Sequence, residues 1–325
     1  MVDDDPMQHD IVAAYLTKMG RDPATLRDCR LLGDGISGAT TYYLRCAASD
    51  LVLKITLRDR AAVVLARAAR ESAFYHALAD RIPLCVPELI AQHAGADGYA
   101  LLLAAYPPMP PVARWAAPDF LEVARQLASF HAAFWAKTRD LPPGPWSRRE
   151  PVSGTAIQRA YRDWQALQAQ PHLTRLLSVR QLQWIAELLP RLSGLTAILE
   201  ALPLTLCHGD CNPGNVLRDA GGSLRWIDWQ EVGIGCGPED LAFFLQQSTV
   251  AGAAVPAEEA LAVYQAQLER ETGEVLRPGL LQRVVDAAEL RSRTLDWPAY
   301  LAQAPEQQVA RMLERIRELV DRLGI

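Results

Sequence analysis

The chain has 325 residues, 33 basic and 38 acidic side chains and a formal charge of −5, and half of its residues are apolar. That composition excludes a disordered chain and a small disulfide scaffold. At roughly 100 to 200 residues per domain it predicts two lobes, at least one with a substantial core. The mild negative balance, without any long block of like charge, leaves no basic stripe for nucleic acid. No apolar run approaches the roughly 18 residues of a membrane span, so neither nucleic acid nor membrane is an expected partner. Six cysteines stand at 29, 46, 85, 207, 211 and 236, and the start Met1 to Asp5 lacks the positive region of a signal peptide, which predicts a reduced, cytoplasmic protein. Of the basic residues 30 are arginine and only three, Lys18, Lys54 and Lys137, are lysine.

Along the chain, Ile11, Val12, Tyr15, Leu16 and Met19 recur at helical spacing and predict an amphipathic helix over 8–19. The texture then turns to strand, with Thr40 to Cys46 and Leu51 to Leu57 behind a glycine-bearing turn at 33–38. A helix over about 60–80 follows, then strands at Glu88 to Gln92 and Tyr99 to Ala105. Prolines 107, 108, 110 and 111 can continue neither helix nor sheet, so the boundary falls there. The expected organisation is a nucleotide-binding lobe at 1–105, a hinge at 106–111 and a helical lobe at 112–325. Helices are expected near 118–137, 155–169, 178–200, 239–249, 257–272, 279–296 and 305–323. Among them lies an island of short strands and glycines at 203–238, where positioned chemistry is expected.

That island holds His208-Gly209-Asp210-Cys211-Asn212-Pro213-Gly214-Asn215. An aspartate five residues before an asparagine, on a loop between short strands, has the spacing of a phosphoryl-transfer loop. There the aspartate accepts the hydroxyl proton and the asparagine holds magnesium. Thirteen residues later Asp228 ends the strand candidate Leu224 to Ile227, a place suited to a hard cation with oxygen ligands. His208 stands as a brace for the loop, with the role of base as the alternative. Zinc held by Cys207, His208, Asp210 and Cys211, with Cys236 joining, is a weaker reading because the usual knuckle spacing is missing.

Gly33-Asp34-Gly35-Ile36-Ser37-Gly38 formally matches the glycine pattern of a dinucleotide turn, yet Thr40, Thr41, Tyr42 and Tyr43 after it are strand formers. A glycine loop between strands covers phosphates as a flap, with Gly35 and Gly38 giving backbone donors and Ser37 a hydroxyl. In a chain that uses arginine for 30 of its 33 basic residues, Lys54 sits on an apolar strand, where a compact ammonium suits a gap between phosphates. Glu71, the sole glutamate between Lys54 and Glu88, is its expected partner.

These residues resemble the aminoglycoside phosphotransferase family of small-molecule kinases. The resemblance rests on His208-Gly209-Asp210 with Asn215, on Ile227-Asp228 running through Gly233, Gly235, Gly237 and Pro238 to Asp240-Leu241-Ala242, and on Leu127-Ala128 with His131; it spans about residues 27–250. It implies an α+β, protein-kinase-like fold of two lobes: a small antiparallel sheet with one main helix, and a larger helical part. It implies an enzyme moving the γ-phosphoryl group of ATP, with GTP as the alternative, to a hydroxyl of a small molecule with Mg2+. Asp210 is then the catalytic base, Asn215 and Asp228 the magnesium ligands, Lys54 a phosphate contact fixed by Glu71, and Asp240 a structural aspartate capping the helix that begins near Pro238. Cys211 and Asn212 stand where many members have leucine and histidine, and Ala104, Ala105 and Tyr106 where an acidic residue is common.

A nucleotide-binding pseudokinase and a dinucleotide-dependent oxidoreductase are the alternatives. The set Lys54, Asp210, Asn215, Asp228 opposes the first and the strand after the glycines the second. His131, on the apolar side of its helix, reads as a hydrogen-bonded core or interlobe histidine. The eight tryptophans, all beyond residue 114, read as core rather than acceptor pocket. Asp286, Glu289 and Asp296 read as a solvated helix face rather than a cationic-substrate site. Charge divides into −2 for residues 1–105 and −3 for the rest, which shows no strongly acidic lobe for a polycation. An antibiotic, an amino alcohol, a sugar and a steroid-like compound all remain open as acceptor.

Overall fold

A computed structural model describes residues 6–34, 38–148 and 152–325. Helix α1 (Pro6–Lys18) lays Val12 and Leu16, four residues apart, on the outer face of an antiparallel sheet. The sheet comprises β1 (Leu26–Asp34), β2 (Thr40–Cys46), β3 (Leu51–Leu57), β4 (Leu89–Gly95) and β5 (Gly98–Ala104), in the order β1-β2-β3-β5-β4. Strand alternation sends Leu53 and Ile55 towards α1, while Leu101 and Leu103 pack on the opposite side with Phe74 of α2 (Ala62–Ala77). The sequence reading does not single out β1. Its run Leu-Arg-Asp-Cys-Arg-Leu-Leu-Gly-Asp has no β-branched or aromatic residue, and two register shifts interrupt its pairing with β2.

Beyond β5 the proline-rich segment is stitched to the lower part of the molecule: Pro108 bridges Leu217, and the Arg225 guanidinium lies 4.4 Å from the Tyr106 ring centre. Then come α3 (Ala117–Ala133), β6 (Ser147–Arg148), α4 (Gly154–Gln168), α5 (Val179–Leu188) and α6 (Leu195–Leu199). The island at 203–238 resolves into β7 (Thr205–Cys207), β8 (Val216–Arg218), β9 (Leu224–Trp226) and β10 (Gly233–Gly235). Helices α7 (Pro238–Val250), α8 (Ala257–Thr272), α9 (Leu280–Arg291) and α10 (Glu306–Leu323) complete the chain.

Three helices differ from their expected spans. Helix α3 stops short of 137: Ala136 turns to φ 59° and donates its N–H to the Leu204 carbonyl at 3.0 Å. The expected helix over 178–200 is broken by a tighter stretch at 189–194 that contains Pro190 and Gly194. Helix α9 gives way after Arg291 to one wide turn, Ser292–Asp296, in which the Trp297 N–H reaches the Ser292 carbonyl.

The central core runs from Phe74, Leu101 and Leu103 through Phe130, Trp226 and Trp229 to Phe244 and Tyr264, joining the inner face of the sheet to the helices. A second cluster, with Trp164, Leu188, Leu290 and Leu313, fills the space between α4, α5, α9 and α10. The expected solvated face at 286–296 is a correction. Asp286 is buried with Arg322 at 2.8 Å, and Glu289 sits between Arg293 and Arg315 at 2.7 Å each, because α10 brings arginines across to α9. Among the described residues no helix is long and apolar enough to cross a membrane.

Candidate active site

Lys54 lies on β3 between Thr41 and Leu101 of the neighbouring strands, on the face opposite Leu53 and Ile55. Its ammonium stands 2.7 Å from a Glu71 oxygen and 2.7 Å from Asp228 Oδ1. Burial works against the Lys54 charge, but attraction to Glu71 and Asp228 outweighs it and holds the pKa above the ordinary lysine value. Glu71 is 2% exposed; burial, with Asp228 adding to it, raises its carboxyl against the pull of Lys54. Two carboxylates from distant parts of the chain therefore converge on one ammonium.

The loop from His208 to Asn215 leaves β7 and enters β8. The His208 ring spans it: Nε2 lies 3.0 Å from the Ile227 carbonyl, and Nδ1 accepts the Asp210 N–H at 3.2 Å. Those bonds call for the proton on Nε2 and the lone pair on Nδ1. The Asn215 amide nitrogen donates to the Asp210 backbone carbonyl at 2.9 Å and to Asp210 Oδ2 at 3.1 Å. Asn212, which the sequence reading marked only as a departure, donates to Asp210 Oδ1 at 3.3 Å. Both oxygens of Asp210 are thus oriented by amides.

Asp240 corrects its expected role as a helix cap. The N-terminus of α7 has no side-chain cap, and the Asp240 carboxylate turns to the loop instead. It accepts the His208 N–H at 2.7 Å and the Gly209 N–H at 3.0 Å, and meets His131 Nε2 at 3.2 Å. Fully buried His131 also meets the Tyr264 hydroxyl at 2.8 Å. His131, Cys207 and Asp240 bring potential ligand atoms within 4.8 Å of one another, but these histidine and carboxylate atoms already hold the loop and Tyr264. Cys207, Cys211 and Cys236 are buried thiols, and burial pushes that of Cys211 well above its ordinary pKa.

Asp228 takes left-handed backbone angles, φ 63° and ψ 62°, an uncommon conformation for a non-glycine residue. The segment after it is clamped by α2. Arg70 donates to the Gln230 carbonyl at 2.7 Å and to Glu231 Oε2 at 3.1 Å, and Arg67 pairs with the other Glu231 oxygen. Gly209, at φ 84°, passes so close that an added Cβ would lie 2.2 Å from the Glu231 carbonyl oxygen. Local sequence carries no signal of this clamp.

Gly35 and Ser37 lie outside the described residues. Gly38 is described: at φ 80°, an added Cβ would press to 2.9 Å from a Val64 methyl of α2, so the turn runs hard against that helix. Asp210, Asp228 and Asn212 open on one cleft of about 1210 Å³, which Arg67 and the segment from Pro108 also line. Its size exceeds the roughly 300 to 1,000 Å³ of a pocket for one drug-sized ligand. Asp228 supplies a carboxylate there. Because the Asn215 amide nitrogen is engaged with Asp210, the carbonyl oxygen is its remaining ligand atom. Such an all-oxygen donor pair fits a hard divalent cation.

Comparison with known proteins identifies the fold and the family. A solved choline kinase from Cryptosporidium parvum Iowa II superposes with a TM-score of 0.66 at 14% identity, covering 96% of each chain. A macrolide 2'-phosphotransferase from Brachybacterium faecium gives 0.56 at 20% identity, covering 96% of this chain and 98% of its own. The GDP complex of aminoglycoside 2'-phosphotransferase-IIIa gives 0.61 at 13% identity, covering 98% and 99%. The fold is therefore that of the protein-kinase-like small-molecule kinases. No curated protein matches the chain by sequence. The model of the phosphotransferase enzyme family, however, matches residues 28–278, most of the chain, and the chain belongs to that family of enzymes.

Proposed function

We propose that the chain transfers the γ-phosphoryl group of ATP to a hydroxyl of a small molecule. The observation that carries this reading is Lys54 bridging Glu71 and Asp228 at 2.7 Å each, with Asp228 lining the same cleft as Asp210. Lys54 contacts the phosphates and Glu71 keeps the ammonium extended. Gly38, at the end of the glycine-bearing turn, offers backbone to the phosphates.

Asp210, held by Asn212 and Asn215, accepts the proton of the acceptor hydroxyl. The hydroxyl oxygen forms its bond to the γ-phosphorus as the bond from that phosphorus to the β–γ bridging oxygen breaks, and ADP leaves. Asn215 and Asp228 are the residues that would hold Mg2+, which when bound neutralises charge on the phosphate oxygens. His208 and Asp240 keep the loop in register. Positioning and electrostatics supply nearly all of the acceleration. The cysteines, with Cys85 exposed to solvent, suit a reduced, cytoplasmic setting.

The test is an ADP-release screen over hydroxyl compounds that includes aminoglycosides and macrolides, with ATP and GTP in parallel and Asp210→Asn as the blank. That variant is expected to lose about two to four decades of turnover while still binding nucleotide. Undiminished turnover in Asp210→Asn, or thermal stabilisation by NAD but not by ATP with magnesium, overturns the reading.

A further inference from the structure

One stripe of α2, with residues three or four apart, meets the glycine-bearing turn and the segment that begins at Asp228. Val64 packs against Gly38, Arg67 pairs with Glu231, Arg70 meets Gln230 and Glu231, Glu71 holds Lys54, and Phe74 stacks on Trp229.

The two arginines of this stripe are held differently. The Arg70 side chain is only 13% exposed and donates to the carbonyls of Pro145 and Gln230 as well as to Glu231. The Arg67 side chain is 32% exposed and lines the cleft together with Asp210 and Asp228. Among the described residues Glu231 is its one ionic partner, met at Nε. A guanidinium carries four further N–H donors on its terminal nitrogens.

Charge divides the site into two halves. With all groups ionised, Lys54 stands against Glu71 and Asp228, which leaves one negative charge in excess, where a divalent cation fits. Glu231 stands against Arg67 and Arg70, which leaves one positive charge in excess, where an anion fits. Position points the same way. Val64, one helical turn before Arg67, marks the end of the glycine-bearing turn. Glu231 lies three residues past Asp228, and its carbonyl oxygen would be 2.2 Å from a Cβ on Gly209, the neighbour of Asp210. The Arg67–Glu231 pair therefore stands where the glycine-bearing turn, Asp228 and the Asp210 loop come together.

Resting on the phosphotransfer reading, we propose that Arg67 is a further catalytic residue, donating to the non-bridging oxygens of the γ-phosphoryl group as that group passes from ADP to the acceptor oxygen. Glu231 keeps the Nε edge, and the terminal nitrogens take the phosphoryl oxygens. In the transition state charge is spread over three equatorial oxygens, which a planar fork of donors meets better than a compact ammonium does. The guanidinium stays protonated throughout, so the hydroxyl proton still goes to Asp210 and the products are the phosphate ester and ADP.

The experiment requires no acceptor. Titration calorimetry measures the affinity for ADP with magnesium, with and without aluminium fluoride, a flat anion that mimics the phosphoryl group in transfer. The unaltered protein is expected to bind ADP more tightly when aluminium fluoride is present. Arg67→Met should weaken that complex about a hundredfold, while affinity for ADP with magnesium alone stays within about threefold. Arg67→Lys keeps a charge beside Glu231, serves if the first variant fails to fold, and should weaken the complex about tenfold. An undiminished aluminium fluoride complex in these variants overturns the role of Arg67, and so does an equal loss of affinity for ADP alone. Unaltered protein that binds ADP with magnesium but gains nothing from aluminium fluoride also overturns that role. Absence of any magnesium-dependent binding of ADP or ATP by the unaltered protein overturns the phosphotransfer reading with it.

Discussion

The ring of Phe74 lies flat on the indole of Trp229, with centroids 4.0 Å apart and planes 8° from parallel. Phe74 follows Glu71 by one turn of α2, and Trp229 is the next residue after Asp228. The stack therefore couples the two segments whose carboxylates hold Lys54. Both rings are fully buried, so Phe74→Ala leaves a cavity and is expected to cost about 3 to 5 kcal/mol, read from urea unfolding. The apparent KM for nucleotide should rise with it. A cost below about 1 kcal/mol would show that the stack contributes little to this coupling.

Asp228→Ala removes both the proposed oxygen ligand and a partner of Lys54. Titration calorimetry with ATP should then show no magnesium-dependent binding, whereas Lys54→Met, which keeps the carboxylate, should retain a weakened magnesium response. Normal magnesium-dependent binding by Asp228→Ala would show that the cation is held elsewhere.

Asp240→Ala leaves the buried N–H of His208 and the half-buried N–H of Gly209 without this acceptor. At about 1 to 3 kcal/mol for each unmatched group, the variant should lose on the order of 3 kcal/mol. The loss should appear in turnover as well, because the same bonds position Asp210. A variant of full activity and stability would assign loop positioning to His208 alone.

Glu289 supplies a pH-dependent test. Burial alone would raise its carboxyl, but the hydrogen bond from Arg315, with Arg293 beside it, prevails and holds the pKa below the usual carboxylate range. The unfolded chain thus binds the proton more readily. The stabilisation is fully present above the unfolded value of about 4.3 and fades as pH falls through the lower folded value. Glu289→Leu should lose on the order of 3 kcal/mol at neutral pH, since it leaves two arginines facing each other in a largely buried place. Urea midpoints at pH 7 and at pH 3 to 4 should show the gap to the unaltered protein narrowing on acidification. A gap independent of pH would mean that packing rather than charge is responsible.

Much of the site's chemistry is legible in the sequence because it is encoded locally. Asp210 and Asn215 share one short loop, Asp228 follows a short strand, and Lys54 stands out as one of three lysines among 33 basic residues. The Lys54–Glu71 pair is legible by elimination, since no other glutamate lies between 54 and 88. What escaped is set by distant contacts. Arg70 meets Glu231 across 161 positions, and α10 turns Asp286 and Glu289 from an apparent surface face into partners of Arg322 and Arg315. Asp240 looks locally like a helix cap, but two loop N–H groups claim its carboxylate. Strand β1 carries little local signal because pairing with β2, rather than its own residue types, makes it a strand.

Three thiols, Cys207, Cys211 and Cys236, are sealed around the loop that carries Asp210, while Cys85 is open to solvent. An alkylating reagent in excess therefore meets the two extremes of access, with half-buried Cys29 and Cys46 between them. Cys85 reacts as fast as reagent arrives, and the sealed thiols react only at moments when the surrounding strands and helices part. Mass-resolved labelling of the native protein converts that difference into an opening rate for the surroundings of the Asp210 loop, read without a substrate. A ligand seated against Asp210 and Asp228 should lengthen the wait.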